Sequence, residues 1–182
     1  MNLYLRLFTF ILRIPFLKKT EGLSVWKTSF YALPSDCDFN FHVTNSRYFS
    51  FADLGRFYAV AHMGLIVKLF KNRWAPVVNA QEIVFIRPIL PLKKFWVETE
   101  ILCWDNKYCY LEQRYVNKDG KPYAIAMFRA TYLYKNKVVP FDEVVSLSGQ
   151  GLVSPEEPTK ITTWKSMLNN KKQENTAGAV SV

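Results

Sequence analysis

Cysteine and histidine are scarce in this chain, with three Cys and two His among 182 residues. They are too few and too scattered for a structural zinc site, and no metal or other cofactor is expected. Cys37, Cys103 and Cys109 form no disulfide pattern, which points to a reducing compartment. Cys103 and Cys109 flank the turn Asp105-Asn106-Lys107 and are read as reduced strand residues rather than a cross-hairpin bridge. With no cleavable signal sequence evident, a cytoplasmic location is expected. Glycine (7) and proline (9) are too sparse for a low-complexity chain. A Gly-rich phosphate loop and a Gly-x-Ser-x-Gly elbow are both missing, which sets aside P-loop and serine-elbow chemistry.

Acidic residues are also in deficit. Lys and Arg number 24 against 15 Asp and Glu, a formal +9, so the natural partners are anionic. Nucleic acid, an anionic membrane surface and a phosphate-bearing small molecule all qualify on charge. The bases are not interleaved with aromatics as on an RNA-recognition strand, and nucleic acid is not expected. No uncharged run approaches the ~20 residues that span a bilayer.

What is present is a globular composition, 49% hydrophobic and 16% aromatic, of a size to bury one core. Residues 1–22 form an amphipathic basic segment. Asn2, Arg6, Thr9 and Arg13 make one thin stripe among Leu, Phe, Ile and Tyr, and Lys18-Lys19 follow Pro15. Such a helix suits an interfacial anchor through residues 1–19, or packing of its broad apolar face on the domain or a second subunit. A strand pattern at Val25–Leu33 precedes a helix over Tyr48–Leu65 that is apolar nearly all round, and so buried. Thr44 or Asn45 suits its cap and Gly64 its end. Strand patterns at Pro76–Ile89, Lys94–Trp104, Tyr108–Asn117 and Tyr123–Lys135, joined by short turns, give antiparallel neighbours. The order is α+β. Residues 23–153 make the domain. Residues 154–182 read as a polar extension in which Trp164, Met167 and Leu168 dock a short helix, with disorder expected after Asn169.

The most informative segment is Ser35 to Tyr48, where Asp36, Asp38, Asn40, His42, Asn45 and Arg47 crowd between a strand and the central helix. Polar groups held between two rigid elements are well placed to build a site. The run Asp36, Asp38, His42, Asn45 and Tyr48, followed by Asp53 and Arg56, resembles the signature of the 4-hydroxybenzoyl-CoA thioesterase-like hotdog family. Phe41 stands where a Gly is frequent there, and Thr44 replaces the first Asn of a pair. The resemblance extends from about Leu23 to Val139 and implies a hotdog fold, an antiparallel sheet wrapped around a long central helix.

It further implies a cofactor-free hydrolase that cleaves acyl-CoA or acyl-carrier thioesters to free acid and thiol, as a homodimer or homotetramer. Asp38 falls at the position of the family's catalytic carboxylate, as nucleophile or general base, a role a carboxylate can fill either way. His42 and Asn45 are read as its supporting residues. Tyr48 is a candidate for the acyl pocket, with core packing as the alternative. Arg73 and Arg87, at element ends, are candidates for the CoA phosphates. Asp36 is expected to hold the turn. The rival reading is a non-catalytic hotdog protein that binds acyl chains, or a partner, at a membrane surface. A hotdog dehydratase, with Asp53 as its helix-borne acid, is a weaker third.

Overall fold

The computed structural model describes residues 2–178. Its centre is an antiparallel sheet of six strands: β1 (Trp26–Tyr31), β2 (Ala75–Phe85), β3 (Lys94–Trp104), β4 (Cys109–Val116), β5 (Pro122–Tyr134) and β6 (Lys137–Val139). The strand order is β1-β3-β4-β5-β2, with β6 paired to β5. The β5–β6 hairpin turns on Lys135 and Asn136, both at positive φ, the backbone a two-residue hairpin favours. In the β3–β4 hairpin the register sets Cys103 opposite Tyr110 and Cys109 opposite Trp104, and both cysteines are free thiols.

The sheet curls around α2 (Asn45–His62), the hotdog arrangement expected from the sequence. Alternate residues of the strands (Phe95 and Val97, Leu111 and Tyr115, Ala124, Ala126 and Phe128) meet Tyr48, Phe51, Ala52 and Ala59 in one core. A helix with apolar residues on most sides is stable only when enclosed in this way. Gly55 marks the closest approach, since a Cβ there would lie 2.8 Å from Nε2 of Gln113. That buried amide donates to the Ala52 carbonyl and to Oγ1 of Thr99, and accepts from Arg56.

Gly64, at φ 70, ends the central helix as expected. The chain then forms α3 (Ile66–Asn72), a seven-residue helix in the stretch between Leu65 and Pro76 to which the sequence reading assigned no element. After β6 come α4 (Phe141–Ser146) and α5 (Thr159–Gly178). Ile161 and Trp164 of α5 cover the back of the sheet against Leu102, Cys103 and Tyr110. This helix is longer than the short one expected, and it continues to Gly178, within the segment expected to be disordered after Asn169. Its later residues are Lys, Asn, Gln and Glu, which tolerate a solvated helix once the first turns are docked. Residues 179–182 lie outside the described residues.

The leading helix α1 (Asn2–Arg13) packs on the domain, with the Phe10 ring 5.8 Å from that of Tyr58. Its polar stripe does not face solvent as a unit. Arg6 turns inward, while Tyr4, Leu5, Phe8, Ile11 and Leu12 stay largely exposed. The guanidinium meets a buried carboxylate, and that outweighs what the wheel pattern suggests for a charged residue. Among the described residues no helix is long and apolar enough to cross a membrane.

Candidate functional site

Between β1 and α2 the chain makes a tight reversal. Cys37 and Val43 pair as an isolated antiparallel bridge, and the Asp38 N–H donates to the His42 carbonyl at 3.1 Å. The loop is tied to the segment after β2, because the Val43 N–H donates to the Ile89 carbonyl at 2.9 Å. Phe41 completes the reversal with a left-handed backbone, φ 56. The family's usual glycine would take that conformation without strain; here a phenylalanine takes it, so the loop geometry is kept at a cost.

The two aspartates of the loop play opposite parts. Asp36 is buried, 1% exposed, and its Oδ2 accepts from Arg6 at 2.6 Å and from the Leu33 N–H at 2.9 Å. Arg47 stands 3.8 Å from Oδ1 of Asp36, and the Asp36 backbone carbonyl accepts from the Thr44 N–H. Those contacts make it the structural residue that the sequence reading expected. Asp38 is partly exposed. Its Oδ1 accepts from the Asn40 N–H at 2.9 Å and lies 3.7 Å from Nδ1 of His42. A carboxylate that is held by one backbone bond, faced by an imidazole and open to water can take a proton or attack a carbonyl.

Asn45 opens α2, directly after Thr44, whose side chain makes no cap bond. The Arg47 N–H donates to the Thr44 carbonyl at 2.9 Å, so it is the N–H groups of Asn45 and Ser46 that open the helix beside the Asp38 loop without a cap from the Thr44 side chain, and such groups favour developing negative charge. Burial, and then the neighbouring charges of Asp36 and Asp38, hold the Cys37 thiol above its ordinary pKa. Cys37 is thus protonated and a poor nucleophile.

The remaining candidates are not gathered at this loop. Tyr48 is buried, its ring edge-on to Phe85 and Tyr115 at 5.0 Å each, and burial raises its hydroxyl to about 12. Its backbone carbonyl accepts from Tyr115 at 2.6 Å, so it is a core residue that fixes the helix start, and the acyl-pocket reading yields to the packing alternative. Arg87 lies two residues before Ile89, on the segment that holds the loop. Its guanidinium is occupied by the Pro122 carbonyl and by the Tyr123 ring at 5.3 Å. Arg73 caps the end of α3 in a left-handed conformation, two residues before β2, whose other end, Phe85, packs on Tyr48 at the start of α2. An eleven-residue strand rises about 3.3 Å per residue, so the length of β2 separates Arg73 from the end of the sheet that meets the Asp38 loop. Asp53 is engaged by Arg56, one turn on, which leaves it poorly placed to act as a free acid.

A second feature escaped the sequence reading. A cavity of about 710 Å³ lies beyond the middle of α2, walled by α1, α2, α3 and the sheet. Its lining is almost wholly carbon, from Leu7, Phe10, Val60, Leu69, Leu111 and Tyr132 among others. No sequence motif marks such a space; it arises where three helices fail to close over the sheet.

Residues 32–147 match the family model described as the thioesterase-like superfamily. The chain belongs to that superfamily. It is 34% identical over 133 residues to Protein THEM6 of Xenopus laevis, across 72% of this chain and 63% of the frog protein. It is 35% identical over 98 residues to a probable thioesterase of Saccharomyces cerevisiae, across 50% of this chain and 40% of that protein. The chain thus spans less than two thirds of either relative. Among solved structures, a hypothetical protein of Staphylococcus aureus solved in complex with CoA superposes with a TM-score of 0.62. That match covers 79% of this chain and 96% of the other at 12% identity, a likeness of fold. The superfamily match leaves out α1, α5 and β1.

Proposed function

We propose that this thioesterase-like protein hydrolyses acyl-CoA-type thioesters, with Asp38 as base or nucleophile. The observation that carries the reading is the accessible Asp38 carboxylate, 3.7 Å from His42 and on the same loop as the uncapped start of α2. A thiolate is a good leaving group, so one carboxylate and a set of N–H donors for the oxyanion supply what the reaction needs. His42 and Asn45 support the loop, and Arg87 lies on the adjoining segment where an anionic nucleotide tail would pass. The test is thiol release from a panel of acyl-CoAs and acyl-carrier thioesters. Turnover that rises with enzyme concentration supports hydrolysis, while tight acyl-CoA binding without release favours the non-catalytic rival.

Self-association belongs to the same reading. β2 is an eleven-residue edge strand with Val77, Val84 and Phe85 partly exposed, and Phe39 and Phe41 stand in solvent on the Asp38 loop. A long apolar edge beside a site invites a second copy, which would protect both. Light scattering should give a dimer or tetramer at micromolar concentration, and a monomer would remove this part.

The outer face of α1 favours peripheral membrane contact as well. Tyr4, Leu5, Phe8, Leu12 and Phe16 are exposed together, with Arg13, Lys18 and Lys19 close in sequence. Apolar insertion plus basic attraction suits an anionic bilayer surface. Replacing Phe8, Leu12 and Phe16 by Ser should abolish sedimentation with anionic liposomes and leave turnover of a soluble acyl-CoA unchanged.

A further inference from the structure

The apolar cavity is not part of the Asp38 loop, yet it lies on the same helix. From Asn45 to Asp53 is eight residues, about 12 Å of helix, and the cavity wall then continues along α2 from Asp53 to Met63, about 15 Å more. Between the two ends, Ser46, Ser50, Asp53 and Phe57 recur at helical spacing on a face that the domain does not fully bury. The charged groups of the lining are Asp53 and Arg73, both exposed, and Arg56, which is largely buried but held by Asp53 and by the side-chain carbonyl oxygen of Gln113. The rest of the lining is Leu, Ile, Val, Phe, Met, Ala, Pro, Trp or Tyr, apart from the Cys109 thiol. At about 710 Å³ it falls in the ~300–1,000 Å³ range of ligand pockets.

Two further observations narrow the occupant. Ile11 and Phe70 line the cavity and are also exposed, at 51% and 77%, so it opens at the surface between α1 and α3. That opening lies on the same helix whose outer face carries Leu5, Phe8 and Leu12. A ligand that fills it needs a long unbranched apolar body with no polar group along its length. Aromatic or short acids would leave most of the space empty, and empty apolar volume forfeits contacts.

We propose that this cavity holds the tail of a long-chain fatty acyl group, with the head directed along α2 toward its N-terminal end. The inference rests on the thioester reading only for the identity of the head. The leading helix is then a wall of the tail site, which gives α1 a binding role outside the superfamily-matched span.

The experiment measures equilibrium binding of acetyl-, octanoyl- and lauroyl-CoA to the full chain carrying Asp38→Asn, by displacement of a fluorescent long-chain fatty acid. Affinity should rise with chain length. Val60→Trp, on the α2 wall, and Ile66→Trp, on the α3 wall, should each weaken lauroyl-CoA by about tenfold or more, the cost of shutting out a few methylenes. Acetyl-CoA binding should be unchanged by either. Affinity independent of chain length overturns the proposal, and so does unchanged lauroyl-CoA affinity in both variants when they melt like the parent. Chain-length-dependent binding in a wild-type protein that releases no thiol would keep the tail site and remove the hydrolase.

Discussion

Arg6 donates to Oδ2 of Asp36 at 2.6 Å, and by that contact the first helix clamps the loop that carries Asp38. The same guanidinium donates to the Tyr31 carbonyl at 2.9 Å and sits 4.8 Å from the centre of the Phe51 ring. It thereby joins β1, the loop and the central helix at one point. Asp36 is consumed by this work, and Asp38, two residues on, is left available. The division of labour between two near-identical side chains is set by their surroundings.

Removing the clamp should therefore be costly. Arg6→Met leaves a buried carboxylate with only the Leu33 N–H and the more distant Arg47, and breaking such a pair costs about 3 kcal/mol. Urea unfolding should report a lower midpoint with an unchanged slope. The double variant Arg6→Met with Asp36→Asn should recover part of the loss, since no unpaired charge remains. For the same reason, deletion of residues 1–19 should destabilise the domain as well as alter membrane binding.

Phe41 is a second point of stored cost. Its side chain is 75% exposed, so little burial offsets the left-handed backbone at φ 56. Phe41→Gly should raise stability by about 1 kcal/mol, because glycine adopts this conformation freely. Thermal melting reads the sign, and a destabilised Phe41→Gly would mean that the ring has a covering partner.

The sheet and the central helix were legible because their signals are local: alternation in the strands, an all-round apolar helix, and Gly64 to end it. The Asp38 loop was legible through its spacing of Asp, His and Asn. What could not be read was long-range. Arg6 looks like an outward charge on a helical wheel, and only the loop thirty residues away turns it inward. Tyr48 sits at a position that either lines a pocket or packs a core, and the rings of Phe85 and Tyr115 decide for the core. Arg73 and Arg87 are alike in sequence, and β2, which runs between them, puts them at opposite ends of one strand.

The docking of α5 should depend on acid. Lys165 contacts Asp105 at 3.2 Å and pairs with Glu157. Burial pushes the Asp105 carboxyl up, but the N–H groups of Lys107 and Tyr108, together with Lys165, outweigh it and hold it below its ordinary value. Lys165 lowers Glu157 as well. A depressed carboxylate contributes stability that is present above its unfolded pKa, about 4, and lost as pH falls through the folded value. Hydrogen exchange of the α5 amides should therefore rise, relative to the sheet, as pH drops below about 4. In Lys165→Met that acid step should shrink, with α5 already looser at neutral pH.

Asp38→Asn separates chemistry from scaffold. The amide oxygen still accepts the Asn40 N–H that Oδ1 accepts now, so the reversal from Cys37 to Val43 should persist. Only the basic, charged oxygen is lost. If Asp38 takes a proton or attacks the carbonyl, turnover should fall by about a hundredfold or more with little change in melting temperature. His42→Ala removes a neighbour at 3.7 Å and should cost less if that neighbour orients the carboxylate and does not react. Asp36→Asn is the contrasting variant. It loosens the Arg6 clamp, so its loss should appear in stability first and in turnover only in proportion to unfolding. Wild-type turnover in a folded Asp38→Asn protein would take Asp38 out of the mechanism. A pattern in which Asp36→Asn and Asp38→Asn lose stability and turnover alike would make both residues scaffold.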